Sequence, residues 1–264
     1  MQPKLAPVRN FLAAAVTALA LAGCATSPTG RSQLVLFSSQ DLAQMGVASY
    51  QKIKQHTPAT QSASVRRYVQ CVVGALTDVV GGNWEVTVFA SDKVNAFALP
   101  GRKIGVYTGL LKVADGPAQL AAVIGHEMGH VLAHHANARV SRQFVTQTAL
   151  QLASAILGGS GGGGLAMAAL GLGAQVGVLL PYARGQESEA DVIGMHLMAR
   201  AGFDPHAAVQ LWQNMMRAAK GQPPEFLSTH PSNASRIAEL KSHLDESLPL
   251  YHEARAQGHT PNCG

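Results

Sequence analysis

Charge is scarce in this chain. Only 13% of its 264 residues are Asp, Glu, Lys or Arg, aromatics make up 5%, and there are three cysteines. Three cysteines in a chain of this length exclude a small disulfide scaffold. No lysine- or arginine-rich run is present, and the formal charge is +5. Removing Lys4 and Arg9 with a leader (below) takes 20 basic groups to 18 against 15 acidic ones, a net of +3. That is too weak to hold a polyanion, so no nucleic-acid partner is expected. No uninterrupted apolar run is long enough to span a bilayer. The longest candidate after the leader, 165–180, has 16 residues broken by Gly171, Gly173 and Gly177, and reads as a buried or lid helix. There is no internal repeat, and no room for a helical repeat array after residue 250. What is plentiful is apolar residues, 47% of the chain, enough for one domain with a real core.

The first 23 residues read as an address. Lys4 and Arg9 form a positive start, and 11–22 is an apolar stretch too short to cross a membrane as a helix. It ends in Leu21-Ala22-Gly23-Cys24, which resembles a bacterial lipobox. The likeness implies cleavage after Gly23 and lipid on Cys24, an anchor that inserts no helix. Ala25 in place of an aspartate implies sorting to the outer membrane. Residues 24–36 are then a lipidated, flexible tether, and 37–264 the folded domain. Cys71 and Cys263 remain, and their sequence separation leaves both a disulfide and two free thiols open.

Helix signals fall at 39–56, with Ser39 as cap, and at 64–80, closed by Gly81-Gly82. Alternation predicts strands at 84–89, 94–99 and 103–107. Helices are expected at 116–136, 138–157, 185–200, 205–219 and 232–247, with the glycine stretch 158–164 as a loop. The fold class is therefore α+β, mainly α-helical, with a small β-sheet.

The helix 116–136 carries His126-Glu127-Met128-Gly129-His130. Histidines four apart on a helix project from one face and can grip one metal ion, with Glu127 placed to act on its water. The surrounding residues are apolar, and an ionisable triplet there is expensive to bury without a metal or partner. A metzincin would need glycine at 133 and histidine at 136; both are alanine. His134 and His135 then read as solvent-facing. A catalytic zinc wants a third protein ligand. Glu187, 187 − 130 = 57 positions after His130, shares a helix face with Asp191, while Glu189 points roughly opposite. Glu187 can bind the metal and Asp191 can hydrogen-bond a ligand histidine. His230, before Pro231, reads as a surface histidine, and Arg236 as a surface partner of Glu239.

Together with Leu180-Pro181-Tyr182-Ala183-Arg184, Asn95-Ala96-Phe97-Ala98-Leu99-Pro100-Gly101 and Ser228-Thr229-His230-Pro231-Ser232, these motifs resemble the HExxH gluzincin family of HtpX and the CAAX prenyl proteases. Its bacterial periplasmic lipoprotein branch, of LoiP- and BepA-like proteins, is the part of the family the chain looks most like. The likeness implies a zincin-type domain with one Zn2+, held by His126, His130 and Glu187. It implies Glu127 as general base, with Asp191 steadying a ligand. It also implies a loop histidine, His230, that can approach and occlude the metal, an arginine near it, Arg236, and an edge strand, Asn95 to Ala98, that pairs with substrate backbone.

The function expected is endopeptidase cleavage of misfolded or misassembled envelope proteins, on a periplasm-facing enzyme that touches the membrane through its lipid and engages outer-membrane assembly machinery. A chaperone-like assembly factor with gated proteolysis is the alternative. An intramembrane peptidase is a third, weaker reading.

Overall fold

A computed structural model describes residues 24–157, 180–218, 225–230 and 234–264. The leader, the glycine stretch 158–164 and the apolar run 165–179 lie outside them.

The chain opens with a hairpin of β1 (Cys24–Thr26) and β2 (Ser32–Leu34), Cys24 opposite Leu34. This corrects the expected tether: its residues close a turn through Ser27 N to Arg31 O and Gly30 N to Ser27 O, and Gln33 is buried. Two helices follow, α1 (Ser39–His56) and α2 (Ala63–Val80). The cap of α1 is Ser38 rather than Ser39; its hydroxyl accepts from the Asp41 N–H.

A three-stranded sheet comes next, from β3 (Glu85–Phe89), β4 (Ala96–Leu99) and β5 (Lys103–Tyr107), in the order β3-β5-β4. β5 pairs parallel with β3 and antiparallel with β4, leaving β4 on the edge. Beyond a 3₁₀ turn at Thr108–Lys112, α3 (Pro117–Leu132) begins with Gly116 at positive φ and Pro117 in its first turn. Every residue of α3 from Gln119 to His130 is buried, as befits a helix apolar on all sides at the centre of a domain. The remaining helices surround it: α4 (His135–Leu157), α5 (Leu180–Arg200), α6 (His206–Ala218), α7 (Glu225–Thr229), α8 (Ala234–Ser242) and α9 (Leu244–Ala256). The core joins Val72 and Leu76 of α2, Ile104 and Val106 of β5, Ile124 and Met128 of α3, Met198 of α5 and Leu211 of α6. Among the described residues no helix is long and apolar enough to cross a membrane.

Three departures from expectation matter. The motif helix stops at Leu132 and the chain turns at His134, whose φ is +56°, before α4 starts at His135. The expected helix 232–247 is two, broken at His243, and α7 shows no signal in the sequence. Cys71 and Cys263 are joined in a disulfide, tying the C-terminal tail to α2.

Packing of α3 on α5 positions the site. A Cβ on Gly125 would lie 2.9 Å from the Gly194 carbonyl oxygen, and one on Gly129 would lie 3.0 Å from that of Ala190. Contacts at 125 with 194 and at 129 with 190 make the helices antiparallel and fix their register. The same packing brings Glu187 beside His130 and Asp191 beside His126.

Candidate metal centre

Four side chains converge where α3, α5 and the end of α7 meet. Donor atoms of His126, His130, Glu187 and His230 all lie within 4.8 Å of one another. His126 Nε2 is 3.1 Å from His130 Nε2 and 3.3 Å from His230 Nδ1. Glu187 comes within 3.5 Å of both His126 Nε2 and His130 Nε2, and within 2.9 Å of His230 Nδ1. Tetrahedral zinc with ligand bonds of about 2.0–2.1 Å separates its donors by about 3.3–3.4 Å. The cluster already has that spacing, and its nitrogen and oxygen donors suit zinc, so the residues fit one ion. All four are buried. The expectation of a surface position for His230 is therefore overturned: its ring stacks on Phe226, centroids 4.6 Å apart.

Glu127 lies beside the cluster without joining it. Its Oε2 accepts from the Ala98 peptide N–H at 3.2 Å. Its Oε1 is buried without a hydrogen-bond partner, 3.3 Å from His230 Nε2. A buried, unpartnered carboxylate oxygen facing a donor cluster is the atom expected to meet a water held there. The edge strand sits where the sequence placed it. The outward N–H of Ala96 is taken by Asn95 Oδ1 and that of Ala98 by Glu127. Phe97 packs against the aromatic cluster of Tyr50, Phe89 and Tyr107. The His230 segment is fastened to the start of this strand: Phe226 N donates to Val94 O, and Glu225 bonds Lys93 and Asn95.

Behind the donors stand two polar chains. His126 Nδ1 meets Asp191 Oδ1 at 2.9 Å, as the helix spacing suggested. Asp191 is in turn clamped by Arg236, Nε to Oδ2 at 2.6 Å and Nη2 to Oδ1 at 2.8 Å. Arg236 also donates to Glu187 at 3.2 Å and lies over the Trp212 ring at 3.8 Å. It is buried, not a surface residue, and Glu239 pairs with Ser188 instead. Removing one partner of a buried charge pair costs about 3–5 kcal/mol, so this clamp is structural as well as electrostatic.

The second chain was missed in the sequence. His130 Nδ1 lies 2.8 Å from His135 Nδ1, and His135 Nε2 lies 3.1 Å from Glu189 Oε2. Glu189 then accepts from Thr29 Oγ1 at 2.6 Å and Arg31 Nη1 at 2.9 Å, both in the N-terminal hairpin. His135 is buried, which corrects the solvent-facing assignment; His134 makes the turn. On an unbroken helix a residue five after His130 would sit about 140° away around the axis. The turn at His134 is what swings His135 back behind His130. A histidine pair after the motif is the only hint of this in the sequence, because the break is made by distant side chains: Gln33 Nε2 donates to Ala133 O and Gln186 Nε2 to His135 O.

Electrostatics agree with a metal-binding set. Burial alone would push the His126 imidazole down, but hydrogen bonds to Asp191 and Glu187 outweigh it and hold the metal-free ring at about 9. Burial and the neighbouring His126 charge push His130 well below its ordinary value, so it is a neutral imidazole ready to ligate. Burial opposes the charge of Glu187, yet hydrogen bonds from His126 and His230 carry it far below the usual carboxylate range. Burial brings His135 down to about 4 despite its bond to Glu189.

The family described as Peptidase family M48 matches residues 59–244. The mitochondrial metalloendopeptidase OMA1 of Schizosaccharomyces pombe is 38% identical over 202 residues, covering 74% of this chain and 56% of that protein. OMA1 of Arabidopsis thaliana is 35% identical over 196 residues, 69% of this chain and 36% of that protein. The beta-barrel assembly-enhancing protease of Escherichia coli K12 is 32% identical over 171 residues, 61% of this chain and 34% of that protein. The chain thus spans about half or less of the length of these curated relatives.

Proposed function

Because the chain belongs to peptidase family M48, a family of zinc metallopeptidases, we propose that it is an endopeptidase of the bacterial cell envelope that cleaves misfolded or misassembled proteins. The observation that carries the chemistry is the buried His126, His130 and Glu187 donor set with the unpartnered Glu127 oxygen beside it. His126, His130 and Glu187 are the proposed ligands. A zinc ion held by these residues would supply Lewis acidity and make a water more acidic than in bulk. Glu127 takes the proton from the attacking water and delivers it to the leaving amine, a role worth about 10²- to 10⁴-fold in rate. Asp191, clamped by Arg236, holds the His126 tautomer that leaves Nε2 open for the metal. Substrate backbone adds to β4 through the N–H groups of Ala96 and Ala98, which reads shape and extension more than sequence. His230, whose Nε2 lies 3.3 Å from Glu127, is proposed to meet charge developing on the carbonyl oxygen, and Arg236, clamped on Asp191 behind the donors, to act through Asp191 and Glu187.

The envelope setting rests on the lipobox-like Leu21-Ala22-Gly23-Cys24 and on similarity to the protein named beta-barrel assembly-enhancing protease. Cys24 is exposed. Lipidation at Cys24, a periplasm-facing position on the outer membrane and contact with outer-membrane assembly machinery are parts of the proposal. The Cys71–Cys263 disulfide supports an oxidising compartment.

A second reading is favoured by one observation. His230 stands in the donor cluster with His126, His130 and Glu187; as a fourth ligand it would take the position a water needs, which would gate proteolysis in a protein that otherwise assists assembly.

Glu127→Gln tests the chemistry. The variant should keep its zinc, by elemental analysis, and lose at least 100-fold in cleavage of an unfolded casein. Undiminished turnover would sink the mechanism.

A further inference from the structure

Zinc ligands work as neutral imidazoles bound through one nitrogen, and the hydrogen bond on the other nitrogen sets tautomer and ring angle. For His126 that bond is to Asp191. For His130 the group at the far nitrogen, among the described residues, is His135 Nδ1, at 2.8 Å. The protons along this line follow one from another. If His130 Nε2 faces the ion, its Nδ1 must carry the hydrogen and donate it. His135 Nδ1 must then accept, so its hydrogen sits on Nε2, which points at Glu189 Oε2, 3.1 Å away. Glu189 accepts from His135, the Thr29 hydroxyl and the Arg31 guanidinium. From His130 to Glu189 each hydrogen bond then has one donor and one acceptor.

We propose that His135 is a positioning residue for the metal ligand His130, and that Glu189, locked by Thr29 and Arg31, makes the N-terminal hairpin part of the metal site. The inference rests on His130 ligating zinc. Three independent features hold the geometry. The left-handed turn at His134 aims His135 inward. Gln33 and Gln186 hold the carbonyls on either side of that turn. Glycine at 185 leaves room for the Arg31 guanidinium, which a Cβ there would meet at 3.0 Å. The hairpin immediately follows the lipobox, so two residues five and seven positions past Cys24 reach the back of the metal centre. An N-terminal deletion beyond Arg31 would remove part of the zinc site, not a spacer.

The test is the zinc dissociation constant of the full chain, measured by competition with a chromophoric chelator. It is measured alongside the visible spectrum of the cobalt-substituted protein and the unfolding midpoint of the metal-free protein. His135→Ala should weaken zinc by about 10- to 100-fold and alter the cobalt bands. His135→Asn, whose Oδ1 can accept in place of Nδ1, should recover most of the affinity. Arg31→Ala should weaken zinc in the same direction by a smaller factor. Unchanged zinc affinity in His135→Ala would overturn the proposal. So would an equal loss in the Ala and Asn variants accompanied by an equal fall in metal-free stability, because that pattern belongs to packing alone. Failure of the unaltered protein to bind zinc would instead overturn the metal assignment of His126, His130 and Glu187, a separate result.

Discussion

A Cβ placed on Gly194 would come within 2.6 Å of the His126 peptide nitrogen. Backbone cannot yield as a side-chain tip can, so any residue larger than glycine at 194 must push α5 away from α3. Since α3 holds two of the proposed ligands and α5 the third, that gap opens the metal site. Gly194→Val should lose about 1–3 kcal/mol of stability in urea and bind zinc more weakly. Undisturbed zinc affinity would show that the helix crossing does not set ligand spacing.

His230 completes the donor cluster and leans on Phe226. If it closes the site, His230→Ala should raise the casein cleavage rate several-fold while zinc content stays at one per chain. A fall in rate with zinc retained would assign His230 to stabilising the carbonyl oxygen instead, and would remove the gating reading.

Metal loading should release a proton. The metal-free His126 ring, held near pKa 9 against burial by Asp191 and Glu187, is charged at neutral pH, and a ligand cannot be. Zinc affinity should therefore fall as pH drops and rise toward pH 9. The sign for folding is the reverse. In the metal-free protein this contact stabilises fully below about pH 6.5, the ordinary histidine value, and its contribution is lost as pH rises through about 9. Calorimetry of zinc binding at pH 7.5 in two buffers of different ionisation enthalpy measures the protons released. Identical heats in both would contradict a charged His126.

The Cys71–Cys263 bridge closes a separation of 192 residues. Chain entropy makes a closure this long worth about 5 kcal/mol, of which bridges typically deliver about 2–4 kcal/mol. Cys71→Ser with Cys263→Ser should lower the thermal midpoint accordingly and leave zinc affinity unchanged, since neither cysteine approaches the donors. A loss of zinc affinity would mean that the tail governs the site.

Much of this was legible in the sequence, because local chemistry sets it. Pro117 opens α3, Gly81 closes α2, and the four-residue spacings of His126 with His130 and of Glu187 with Asp191 show on one turn of helix each. What was hidden depends on distant partners. Nothing in Ala133-His134-His135 breaks a helix; Gln33 and Gln186 do, from elements remote in sequence. His135 reads as solvent-facing only on an unbroken helix, and the turn at His134 breaks it; Glu189 reads as pointing away from Glu187, and its partners lie on remote elements. Arg236 read as an exposed helix residue because its partner, Asp191, lies 45 positions away. The expected helix 232–247 ran across the break at His243, beyond which α9 restarts at Leu244 and carries Pro249 inside it. Five residues, as in α7, are too few to show a period.

The hydrogen bond from Ala98 to Glu127 has a kinetic side. In the resting molecule the carboxylate proposed to handle protons is moored to the strand proposed to receive the peptide. An incoming backbone carbonyl that takes the Ala98 N–H unmoors Glu127 in the same act, and frees it to turn toward water. Docking on the strand would thus change what Glu127 is bonded to through one oxygen, while the other already faces the donors.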